Sequence, residues 1–426
     1  MKKVRDKYKM TELGEIPSEW HIEVLGECSN VTKLAGFEFT EYIEYIDDGE
    51  IIALRALNLK NGKLNLEDIK KIDKKVSESL TRSKLYINDV LFSYVGTVGE
   101  VALIEENDKF HLAPNVAKLT FNDSVVPKFA LQYLMSSNMR NEINRYVTTT
   151  SQPALSMENI RKLKIIVPKK EEQEKISFIL STVDEQIDNV DALIEKNKEL
   201  KKGLMQTLFT KGIGHTKFKN TEIGEIPEEW DVKKIGDICE VKGGKRLPKG
   251  YQLEDEDNAF PYIRVADMYM GGIRQDDIKY VPKDIVDKIK HYKISKDDLF
   301  ISVAGTLGIV GQVPYELDGA NLTENADKLC NIQINKLYLM KVLQSNIVQS
   351  IIEAEQTKSA QPKLALTRIK EFLIPVPSDI EQVKIASILM EVDEKIGQYK
   401  NKKQKLEELK KGLMQQLLTG MIRVTV

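Results

Sequence analysis

The sequence predicts an α+β protein in which two repeated, mixed α/β globular domains alternate with a pair of long antiparallel coiled-coil helices about a pseudo-two-fold axis. Three observations predict it. One phrase is spelled twice, apolar residues keep a seven-residue beat in two segments, and the stretches between mix strand signals with glycine and proline turns.

The repeat comes first. "TELGEIPSEW", Thr11 to Trp20, returns as "TEIGEIPEEW", Thr221 to Trp230. "DVLFSYVGTVG" from Asp89 returns as "DLFISVAGTLG" from Asp298, and "NVAKL" from Asn115 as "NADKL" from Asn325. "QPALSMENI" from Gln152 matches "QPKLALTRI" from Gln361, and "ELKKGLMQTLFT" from Glu199 matches "ELKKGLMQQLLT" from Glu408. The offset drifts by one residue over this whole length, which means two copies of one unit. A solenoid is excluded, because solenoid units run about 20–50 residues.

Each copy ends in a helix. Ile176, Val183, Val190 and Leu204 fall on one heptad grid, Asn197 fills the missing slot, and Leu180, Ile187 and Ile194 form the companion row. The second copy places Ile385, Val392, Tyr399, Leu406 and Leu413 on the same grid, with Leu389 and Ile396 beside them. Charged residues fill the gaps, as sustained coiled-coil heptads require. Pro168 and Pro377 stand before the helices, and Gly212 and Gly420 near their ends. About 40 residues at 1.5 Å each span roughly 60 Å. An amphipathic core helix lying on its own domain is the alternative.

The rest of each copy is a module. "LKIIVP" and "FLIPVP" are β-like runs stopped by proline, and "DVLFSYVG" and "DLFISVAG" are strands ending in a glycine turn. "KFALQYLMSSNMRNEI" and "KLYLMKVLQSNIVQSII" each read as a helix. The expected division is a first domain at 1–169, a helical spacer at 170–212, a second domain at 213–377 and a second spacer at 378–426.

Composition narrows the class. No run of about 18 apolar residues offers a membrane span, and "MKKVRDKYKMTELG" lacks a secretory signal's apolar stretch. Cys28, Cys239 and Cys330 have no metal-ligand spacing, and the four histidines are scattered, so thiols in a reducing cytoplasm and no metal site are expected. The net charge of −2 neither requires nor excludes a nucleic-acid partner, since a neutral total can hide a basic face.

If the second helix returns antiparallel along the first, the two modules are related by a pseudo-dyad. Duplex DNA carries dyads of that kind, and proteins use them to read half-sites about 34–36 Å apart. The modules differ, so the half-sites would differ. At this point the doubled "GEIP-x-EW" opening, the "GT-x-G" segments and the "ELKKGLMQ" helices resemble the DNA specificity subunit of Type I restriction–modification enzymes, over essentially the whole chain. The resemblance implies a non-catalytic subunit whose two target recognition domains each read half of a bipartite site on double-stranded DNA. It implies that the helices set the gap and dock methyltransferase subunits, through which the motor–nuclease subunits join. S-adenosylmethionine, ATP and Mg are then expected on those partners and no cofactor on this chain.

Candidate DNA contacts follow from residue chemistry. "VKGGKRLPKG" gathers Lys242, Lys245, Arg246 and Lys249 among glycines with no acid, suiting phosphate approach, or it is a solvated loop; the first copy keeps only Lys33 there. Arg55 and Arg264 are equivalent and contact DNA or hold an internal carboxylate. Ser93 and Thr97, with Ser302 and Thr306, offer hydroxyls beside backbone N–H groups to a phosphate, or form a tight turn. Lys118 and Lys328 are phosphate contacts or strand-edge charges, and Gln152 and Gln361 are candidate adenine readers. No aromatic–basic stacking array appears, which favours duplex over single strand. A self-contained methyltransferase lacks support, because there is no Asn/Asp-Pro-Pro-Tyr/Phe tetrapeptide. Neither a Gly-rich cofactor loop nor a Walker sequence occurs. A coiled-coil adaptor that binds only proteins is the remaining alternative.

Overall fold

The computed structural model describes residues 5–148, 152–356 and 363–425. The chain divides into two compact units, the first joining Met1–Asp191 to Asn401–Val426 and the second comprising Ala192–Lys400.

The first unit is built on a four-stranded antiparallel sheet in the order Val101–Leu103, Val90–Ser93, Val116–Phe121, Ser29–Lys33. A three-stranded sheet lies beside it, with Phe110–Leu112 parallel to Ile51–Leu54 and Lys70–Ile72 antiparallel to the latter. Successive side chains of a strand point to opposite faces. Val90 and Phe92 accordingly enter one apolar core while Leu91 enters another. That is why "DVLFS" is apolar without alternation. The first core also takes in Phe129, Tyr133 and Met139 from helices Pro127–Leu134 and Ser137–Asn144. One helix was expected over this stretch. The hydroxyl of Ser136 accepts from Met139 N at 3.2 Å and starts a second helix there, a cap the apolar spacing did not show.

The second unit repeats the plan. Its antiparallel sheet runs Glu240–Gly243, Ala326–Cys330, Leu299–Ser302, Val310–Gln312. Leu299 and Ile301 enter one core and Phe300 the other. Here too the expected single helix divides, into Lys336–Leu343 and Asn346–Gln356.

Two helices dominate, Lys170–Thr210 and Asp379–Leu417. In the first unit Ile176 and Leu180 from one helix and Leu417 from the other join the same core, followed by Leu418. Asp184 pairs with Lys410 and Asp191 with Lys403, each at 2.7 Å, so the segments run antiparallel. In the second unit Leu208 and Phe209 join Ile385, Ala386 and Leu389 in one core, and Lys201 meets Asp393 at 2.6 Å. Those segments are antiparallel as well. The heptad residues Ile176, Leu180, Val190, Ile385 and Leu389 are nearly fully buried. Among the described residues no helix is long and apolar enough to cross a membrane.

Candidate nucleic-acid interface

The repeated opening phrase builds a joint. In the first unit a hairpin, Tyr8–Thr11 with Gly14–Pro17, leads to Trp20, whose buried indole N–H donates to Glu172 Oε2 at 2.8 Å. Arg423 Nε holds the other oxygen of that carboxylate at 2.6 Å. In the second unit the hairpin Phe218–Thr221 with Gly224–Pro227 leads to Trp230, which donates to Glu381 Oε2 at 2.9 Å. His215 Nε2 stands 3.0 Å from both Glu381 oxygens, and Ile213 N donates to Oε1 at 2.8 Å. Both glutamates lie in the first turn of a long helix, where a carboxylate also favours the helix dipole. The phrase therefore fixes each module to the start of its helix.

The glycine turns are equally alike. Ser93 Oγ donates to Thr97 O and accepts from Glu100 N at 2.9 Å, while Ser302 Oγ donates to Thr306 O at 2.6 Å and accepts from Ile309 N at 2.8 Å. Gly96, Gly99, Gly305 and Gly308 take φ between 77° and 92°, the left-handed region that favours glycine. Ser93 and Ser302 are fully buried. Of the two readings the sequence left open at these positions, this corrects the phosphate contact and keeps the tight turn, because both hydroxyls are spent inside it. Thr97 and Thr306 are exposed at its tip.

Arg55 donates to Asp68 O at 2.8 Å and pairs with Asp68 Oδ1 at 3.0 Å. Arg264 grips both oxygens of Asp267, at 3.0 and 2.5 Å, and reaches Asp277 Oδ2 at 3.1 Å. Each is thus tied to an internal carboxylate, the alternative the sequence left open. Lys118 is buried, donates to Lys84 O at 2.9 Å and lies 3.8 Å from Asp89, so it is a core charge and not a surface cation. Its equivalent Lys328 donates to Lys293 O at 2.6 Å beside Asp298. Gln152 is exposed, and Gln361 lies outside the described residues.

The basic loop after Glu240–Gly243 stays exposed but is partly neutralised. Lys242 pairs with Glu240 at 2.5 Å and Arg246 with Glu324 at 2.7 Å. Lys245 lies 5.7 Å from the Tyr292 ring centre, its carbonyl accepts from Tyr262 Oη at 2.9 Å, and Lys249 is exposed. A Cβ on Gly244 would stand 2.0 Å from Thr323 O, so this position takes only glycine. In the first unit Lys33 is exposed, with its Nζ 5.9 Å from the Tyr94 ring centre. The sequence did not single out Glu324, Tyr292 or Asp327, which line or flank the loop. The change from Ala117 to Asp327, an acid entering a pentapeptide that otherwise differs only by Val116 for Ala326, was the available signal.

All three thiols are buried, and burial pushes Cys28 and Cys239 up to about 12, which leaves them protonated and unreactive.

The Type I restriction modification DNA specificity domain matches residues 17–200 and again 227–408. The chain belongs to that family. The chain is 25% identical over 429 residues to the Type I restriction enzyme MjaVIII specificity subunit of Methanocaldococcus jannaschii, covering 96% of this chain and 94% of the relative. It is 21% identical over 392 residues to the Type I restriction enzyme EcoKI specificity subunit of Escherichia coli strain K12, covering 87% and 82%. In fold it is similar to the crystal structure of a Type-I restriction-modification system S subunit from M. genitalium, with a TM-score of 0.59, 21% identity and 97% of each chain covered. Both family matches run from a module into its long helix, so the domain includes the joint at Trp20 or Trp230.

Proposed function

We propose that this chain is the sequence-reading subunit of a Type I restriction–modification complex on double-stranded DNA. Each module reads one half of a bipartite, asymmetric site, and the paired helices hold the two readings at a set gap. The helices dock methyltransferase subunits, and motor–nuclease subunits join through them, in a prokaryotic cytoplasm. The chain does no chemistry of its own, and S-adenosylmethionine, ATP and Mg act on the partners. What carries the reading is the specificity domain occurring twice, at 17–200 and 227–408, with loops that diverge at equivalent positions. Shared joints with different loops suit one scaffold reading two different half-sites.

Among the candidate contacts, exposed Lys33, Thr97, Lys242, Lys245, Arg246, Lys249 and Thr306 remain available to phosphates or bases. Lysine contacts to phosphate would make binding fall steeply with salt. The experiment is long-read methylation mapping in cells carrying the complete system, together with footprinting of the purified chain on duplex DNA with and without the methyltransferase subunit. A two-part motif and a footprint strengthened by the partner are expected. A motif with no gap, methylation by the chain alone, or no footprint in either arm would overturn the reading.

A further inference from the structure

In the second unit an open cleft of about 570 Å³ lies between the glycine-rich loop and the segment around Lys363. Gly243, Gly244, Lys245, Glu324, Asp327 and Lys363 line it. Asp327 is 5% exposed. Among the described residues its carboxylate has no hydrogen bond and no ion pair, and Lys363 acts on it only as a nearby charge. Arg246 is paired with Glu324. A carboxylate on a buried residue that faces an open cleft with no protein partner is placed to accept a bond from a ligand.

Its register shows what kind of ligand. Asp327 stands opposite Gly243 across the sheet, and its Oδ1 would lie 3.5 Å from a Cβ built there. At the same register in the first unit, Ala117 stands opposite Lys33. One unit thus pairs a small residue on the inner strand with a long cation on the edge strand. The other pairs an acid on the inner strand with glycine on the edge. The fold keeps the space and reverses the hydrogen-bonding polarity, from donor to acceptor. Drift on a solvated surface gives no reason for both members of a cross-strand pair to change together. Burial pushes the Asp327 carboxyl up to about 6, with the Lys363 charge pulling it back, so near neutral pH it is chiefly an acceptor.

We propose that Asp327 is a specificity-determining residue of the second unit, accepting a hydrogen bond from the exocyclic amino group of a cytosine or an adenine. Gly243 leaves the room for that base edge, and Lys245 and Lys363 line the same cleft with positive charge. Carboxylates are natural acceptors for cytosine N4, and adenine N6 offers the same donor in the major groove. This rests on the second unit reading a half-site.

The test uses the complete methyltransferase complex and the motif mapped for the wild type. Duplexes carrying every single base-pair change in the second unit's half-site are bound by wild type, Asp327→Asn and Asp327→Ala. Wild type is expected to lose about 5–150-fold at one C·G or A·T pair, the range for one good base contact. Asp327→Ala should lose that discrimination, Asp327→Asn, whose amide oxygen still accepts, should keep only part of it, and all other positions should stay as they were. A second arm leaves the protein unaltered: duplexes with 2-pyrimidinone for cytosine, or purine for adenine, lack the amino group. The affected analogue tells cytosine from adenine, and its penalty should be smaller in Asp327→Asn than in wild type. Unchanged discrimination, uniform weakening at every position, or an equal analogue penalty in both proteins overturns the proposal. A wild-type map without a two-part motif defeats DNA reading by the units instead, which is a separate failure.

Discussion

At Trp20 and Trp230 a single indole N–H meets a glutamate that is itself buried, so the cost of losing it falls on the carboxylate. Trp20→Phe and Trp230→Phe keep an aromatic ring but remove the donor and part of the indole's volume, and each is expected to cost at least about 1–3 kcal/mol of stability in urea unfolding. A change below the error of the measurement would mean that Arg423 or His215 holds the glutamate alone. Asp327 runs the other way. Its folded value of about 6 lies above the ordinary 3.8, so the native state binds the proton more tightly and stability falls as pH rises from about 4 to about 6. Asp327→Asn is therefore expected to match wild type near pH 4 and to be more stable at pH 7, by roughly 2 kcal/mol. Urea midpoints at the two pH values check this, and equal midpoints at pH 7 would show that the carboxylate is not strained. The sequence could not show this residue's role, because the role depends on a partner being missing. Ser93 and Ser302 were left open between a phosphate contact and a turn for the converse reason. A hydroxyl beside glycines looks the same in sequence whether it faces outward or closes its own turn.

Among the elements, the long helices were readable because a heptad is a periodic signal sustained over many turns. Ile176, Leu180 and Val190, and Ile385 and Leu389, are buried as their spacing demanded. The break at Ser136 was not readable, since one capping hydroxyl carries little weight against a continuous apolar pattern. Ion pairs add to the register of each helix segment, with Asp184 on Lys410 and Asp191 on Lys403 in the first unit. Inserting four residues or one heptad between Ile176 and Leu208 is expected to lengthen the unread gap and leave both half-sites unchanged. Methylome sequencing that returns the original gap would count against the helices as the spacer.

For the molecule as a whole, the two units share a plan but diverge at the loops, so reading should be separable. Exchanging Trp20 to Pro168 for the same segment of a relative is expected to alter one half-site in the methylation map and preserve the other. Alteration of both would show that the units are read as one surface. The repeat and its family were plain in the sequence, whereas the make-up of each unit was not. Its first core closes over Leu417 and Leu418, and its second over Leu208 and Phe209. The first core is therefore complete only once Leu417 and Leu418, at the end of the second helix, have been synthesised. Any fragment ending before Asn401 should therefore be a ready client of chaperones and proteases.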